Sequence, residues 1–216
     1  MPLVMRFFED VLQDGQVAEL GTATPRAIYV AAGSVTIEGD GLASDDGLVS
    51  VLPITIAAGS SGACLWRWEI ADASDQALLL SEPSYLKMQP AVFEQSITAT
   101  HLLRLDSVAF PAGGCAFLHT HQGPGIRCLI EGTIQIDCEG HSSAYGPGSP
   151  WFEAGPDAVF AQADADLPSR FIRAMVLPRE LAGKSSIHYV NDEDRAKPKS
   201  QTYKVFDEKL LSGENS

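Results

Sequence analysis

Histidine is missing from the first 100 residues; all five lie between His101 and His188. A histidine-based metal centre is therefore excluded from the N-terminal half. Basic side chains are scarce too: 15 Lys and Arg stand against 28 Asp and Glu, for a formal charge of −13 and a pI near 4.6. That balance speaks against nucleic acid and against anionic membrane surfaces, which both attract basic patches. No apolar run approaches the roughly 18 residues of a membrane span. The opening "MPLVMRFFEDVLQDG" carries acids early and lacks the apolar stretch of a secretory signal. Cys64, Cys115, Cys128 and Cys138 show no C-x-x-C spacing. They read as free thiols of a reducing, cytoplasmic compartment.

Turn-forming residues are abundant, with 19 glycines and 13 prolines in 216 residues. Between them recur short segments rich in Val, Ile, Leu and aromatics: "AIYVAAGSVTIEG", "LVSVLPITI", "ACLWRWEI", "HLLRLDSVAF", "CLIEGTIQIDC" and "FIRAMVL". This is the rhythm of an all-β fold. Only "MRFFEDVLQD" and "FDEKLL" read as short terminal helices. In "LWRWEI", Trp66 and Trp68 are expected to serve core packing and an interface edge.

The segment Ile28–Gly39 can be laid over Arg127–Gly140. Gly33 then matches Gly132, Val35 matches Ile134, Ile37 matches Ile136, and further on Gly59 matches Gly148. The repeat implies a duplicated unit. The expected division is residues 1–95, residues 96–180, and an extension over residues 181–216 in which "DEDRAK" reads as a solvated turn.

The stretch "FLHTHQGPGIRCLIEG" carries the chemistry. Histidines one residue apart on an extended segment point to the same face and can share a metal ion. If position 125 faces inward, so do Arg127 and Leu129, because side chains two apart share a face. A buried arginine requires an anionic partner. Arg127 could hold a carboxylate or phosphate of a ligand, or pair with a protein acid such as Glu153. His101, His141 and His188 read as surface histidines, and Cys115 and Cys128 as inert thiols.

This second half resembles the cupin superfamily of jelly-roll β-barrels. The first cupin motif, G-x5-H-x-H-x3,4-E-x6-G, is met by Gly113, His119, His121 and Gly132, while its glutamate position holds Gly125. In the second motif the histidine position falls on Val159, although "GSPWFEAGP" resembles the turn found there. With the repeat, the resemblance implies a bicupin: two tandem jelly-roll barrels with short terminal helices or extensions. It also implies a divalent transition metal (Fe, Mn, Ni, Cu or Zn) on His119 and His121 in the C-terminal barrel, and none in the N-terminal one. Glu153 or Asp157 could supply a third ligand, giving a His-His-carboxylate set suited to iron(II).

Two classes of function follow. One is a metal-dependent enzyme acting on a small, anionic organic molecule: an oxygenase, isomerase or decarboxylase. The other is a non-catalytic small-molecule binder of the same fold that has lost its ion. A homodimer is expected, with "QTYKVF" or "PLVMRFF" laid on the partner's sheet; the alternative is a monomer with both segments on their own chain.

Overall fold

The computed structural model describes residues 2–80, 83–93 and 100–211. The chain divides into two compact units: Met1–Leu105 with Phe206–Ser216, and Asp106–Val205. The boundary expected at 95/96 lies outside the described residues. The expected extension is shared out, residues up to Val205 joining the second unit and the remainder the first. No helix among the described residues is long and apolar enough to cross a membrane.

The first unit is built on β1 (Leu3–Leu12), β2 (Val17–Leu20), β3 (Arg26–Ile37), β4 (Asp40–Ala43), β5 (Gly47–Ser50), β6 (Ile54–Asp72), β7 (Ser84–Met88) and β8 (Ala91–Phe93). They form one sheet in the order β4-β3-β6-β1-β7, with β2 on β6, β5 on β3 and β8 on β1. "MRFFEDVLQD" is therefore strand, not helix. Its residues alternate faces: Arg6, Phe8, Asp10 and Leu12 pair with Glu69, Arg67, Leu65 and Ala63 of β6, while Phe7 pairs with Trp68. Both faces are covered, so the strand lacks the apolar-polar alternation that usually marks one. Phe7 and Trp68 pack with ring centroids 4.7 Å apart, and Trp66 lies 5.8 Å from Tyr29. Arg67 and Glu69, between and beyond the tryptophans, face the opposite way beside the apolar cluster of Leu12, Ile28, Val30 and Leu65.

The second unit takes its strands from β9 (His101–Phe110), β10 (Cys115–His121), β11 (Gly125–Glu131), β12 (Ile134–Cys138), β13 (His141–Tyr145), β14 (Pro150–Glu153), β15 (Val159–Ala163), β16 (Ser169–Pro178), β17 (Ile187–Tyr189) and β18 (Thr202–Leu211). Two five-stranded sheets result, β13-β12-β15-β10-β17 and β14-β11-β16-β9-β18. The unit's limits fall inside β9 and β18. A core of Val108, Phe110, Leu129, Ile134, Ile136, Trp151 and Phe171 fills the space between the strands. "FDEKLL" belongs to β18 and is not helical; the described helix α1 spans Asp192–Ala196, within the "DEDRAK" read as a turn. Both terminal segments are thus strands in their own chain's sheets.

Candidate metal and anion site

A cavity in the second unit gathers His119, His121, Arg127, Glu153 and Arg173 against an apolar wall that includes Val108, Phe171, Ile187 and Tyr203. Its volume is about 20 Å³, room for one water molecule. His119 and His121 are 4% and 7% exposed. They lie two apart on β10 and so share its inner face.

His119 Nδ1 lies 2.7 Å from the Phe117 carbonyl oxygen. A carbonyl only accepts, so Nδ1 carries the hydrogen and Nε2 presents its lone pair. Burial lowers the pKa of His119, and lowers that of His121 to about 3. Both rings are neutral at pH 7, the form a metal ligand requires. The two Nε2 atoms are 3.2 Å apart. Nitrogens sharing one ion at about 2.0–2.1 Å are separated by roughly 2.9–3.4 Å, so the pair fits a single ion.

The carboxylate arrives from another strand. Glu153 ends β14, and its register partner on β11 is Gly125, where the cupin motif has glutamate. A Cβ at Gly125 would stand 2.5 Å from the Ala174 carbonyl oxygen and 2.8 Å from Met175 Cγ, so no side chain fits there. Glu153 Oε1 accepts from Trp151 Nε1 at 2.8 Å, and Oε2 lies 3.3 Å from His121 Nε2. Oε2 is also 2.8 Å from Arg127 Nη2, close enough for an ion pair but off the line of a hydrogen bond. Burial acts to raise the Glu153 pKa, yet the Arg127 guanidinium holds the carboxyl well below the usual carboxylate range.

Arg127 is fully buried, and burial pushes its pKa down to about 10. Its Nη1 donates to the Gly125 carbonyl at 2.6 Å, whereas Nε and Nη2 have no hydrogen-bond partner among the described residues. Across the strand pair its register partner is Arg173. Sequence reading passed over Arg173 and the acid it grips: Asp106 receives Nε at 2.6 Å and Nη2 at 3.0 Å. The signal was present, since an arginine in "FIRAMVL" and an aspartate in "HLLRLDSVAF" both interrupt apolar runs. Arg127, Arg173 and Glu153 line the cavity, and Asp106 behind Arg173 brings the four charges to zero.

Among the described residues no group of three or more His, Cys, Asp or Glu is arranged to hold a metal ion. The histidine pair fits one; a third protein ligand is not in place, because Glu153 faces Arg127. Asp157, the other candidate, lies in the bend between β14 and β15, does not line the cavity, and stands instead near Cys138. His141 and His188 are exposed on β13 and β17.

No protein-family model matches the chain, and no curated protein matches its sequence. Solved structures do. A deletion mutant of Bacillus subtilis oxalate decarboxylase aligns over 91% of this chain and 73% of its own, at 13% identity and a TM-score of 0.62. AerE from Microcystis aeruginosa aligns over 80% of this chain and 88% of its own, at 12% identity and a TM-score of 0.58. Identities this low carry the fold alone, and the fold is of cupin type.

Proposed function

We propose that the chain is a bicupin whose second barrel binds a divalent transition metal through His119 and His121 and uses it on a small anionic molecule. The observation that carries this reading is the Nε2 pair: 3.2 Å apart, with the His119 lone pair aimed by the Phe117 carbonyl. A similar structure supports it, since its description names the Mn(II) centres of Bacillus subtilis oxalate decarboxylase. The metal, when bound, supplies Lewis acidity toward an oxygen of the substrate. The chain's own residues do the remainder. Arg127, whose Nε has no hydrogen-bond partner among the described residues, and Arg173 orient an anionic group. Ile187 and Tyr203, from the chain beyond residue 181, close the cavity and confine it to a ligand of a few atoms unless they move. The first barrel, without histidine, has a packing role.

A second reading, a non-catalytic binder, draws on Gly125 and Val159 at two ligand positions of the motifs and on the Arg127–Glu153 pair. Metal content separates the two. Protein purified without added metal is expected to carry up to one equivalent of transition metal, and the His119→Ala/His121→Ala variant none while remaining folded. An undiminished metal content in that variant would remove the histidines from the site.

A further inference from the structure

We infer that Arg127 is an internal competitor of the metal: it holds the only carboxylate at the histidine pair among the described residues and so sets the affinity of the site for a divalent cation. This inference rests on the metal-site reading above. A single oxygen has two claimants. Glu153 Oε2 lies 3.3 Å from His121 Nε2, within reach of an ion held there, and 2.8 Å from Arg127 Nη2. Glu153 cannot turn away to serve another partner, because Trp151 Nε1 fixes Oε1 at 2.8 Å. Arg127 cannot withdraw to solvent, because it is fully buried and tied to the Gly125 carbonyl. Position 125 cannot supply a second carboxylate, because the Ala174 carbonyl and Met175 occupy the space of its side chain.

Electrostatics sharpens the competition. The cavity is lined by two guanidinium groups and one carboxylate, Glu153, with Asp106 behind Arg173, so a dication enters a site with no net negative charge. While Arg127 is paired to Glu153, the ion gains two nitrogens and no charge compensation. With that guanidinium removed, the same ion meets a His-His-Glu set with a free negative charge, the donor set suited to divalent first-row metals.

The test compares Co²⁺ and Zn²⁺ binding by the full chain and three variants, using competition with a chromophoric chelator and the visible spectrum of the Co²⁺ complex. Arg127→Met keeps the length without the charge and is expected to bind at least tenfold tighter than the unsubstituted chain, with a changed Co²⁺ spectrum as a carboxylate joins. Arg127→Gln, which can still hydrogen-bond Glu153, is expected to bind tighter by a smaller factor. Adding Glu153→Gln to Arg127→Met should abolish the gain. Binding by Arg127→Met alone, or refolding of either single variant only when metal is added, supports the competition. Metal binding by the unsubstituted chain with no gain in either single variant overturns the inference and leaves the metal site standing. No binding by any form, or single variants that stay unfolded with metal present, overturns it as well, and binding by none removes the metal site too.

Discussion

Replacing Asp10 with alanine is expected to destabilise the first unit by about 3–5 kcal/mol, the range for breaking a buried ion pair from one side. Asp10 receives Arg67 Nε at 2.7 Å and Nη2 at 3.1 Å. Arg67 has no exposed surface, and its guanidinium sits 4.0 Å over the Phe8 ring. Its Nη1 reaches Glu69 at 2.6 Å, and Arg26 Nε approaches the same oxygen at 3.5 Å. The Ser84 hydroxyl also donates to Asp10. Arg26 and Arg67 thus share Asp10 and Glu69 on the face of the sheet that also carries Ile28 and Leu65. Without Asp10, a buried guanidinium keeps only half of its anionic company. Replacing both partners by apolar residues, as in Asp10→Leu/Arg67→Met, is expected to recover most of the loss, because no uncompensated charge remains. Urea unfolding of the three proteins checks both statements. A loss below 1 kcal/mol for Asp10→Ala would mean that the network is not held as described.

Gly132→Ala is the second large effect, expected at about 3–5 kcal/mol from a left-handed backbone and a steric clash together. Gly132 has φ +74°, and a Cβ there would stand 2.0 Å from the Pro168 carbonyl oxygen. Gly33 in the first unit repeats the arrangement, with φ +80° and 2.1 Å to the Gly62 carbonyl oxygen. Its alanine variant should cost a similar amount. Gly140→Ala is the control: φ is +78° but nothing lies within 4 Å, so only the conformational cost of about 1–2 kcal/mol applies. Equal losses at positions 132 and 140 would refute the clash.

These glycines also show where a single sequence is informative. The Gly33–Gly132 match found in the repeat has one structural cause in both units, and the residues after it, Val35 with Ile134 and Ile37 with Ile136, are buried alike. Each unit closes the following hairpin with Glu-Gly, Glu38-Gly39 and Glu139-Gly140, all four at positive φ, as a type I′ turn demands. The Gly59–Gly148 match has no such basis: Gly148 is at positive φ in open space, while Gly59 is not and faces Ser34. Local constraints of turn and alternation are written in neighbouring residues and can be read there.

What could not be read depends on pairings between distant segments. The opposition of Gly125 and Glu153, which brings a carboxylate from β14 to where the motif lacks one, is a matter of register between strands 28 positions apart. The facing of Arg127 by Arg173, and the closure of the cavity by Ile187 and Tyr203, are likewise long-range. The helix expected over Met5–Asp14 failed for another reason. A strand buried on both sides by tryptophans on one face and a charge network on the other shows no simple period.

The central expectation for this chain is one ion between His119 and His121. Crystals of protein purified without added metal, with anomalous diffraction recorded on both sides of the transition-metal edges, would test it. The prediction is a single peak in the second unit within about 2.0–2.3 Å of both Nε2 atoms, and none in the first unit. A peak elsewhere, or occupied Nε2 atoms still 3.2 Å apart with no anomalous signal between them at any edge, would contradict it.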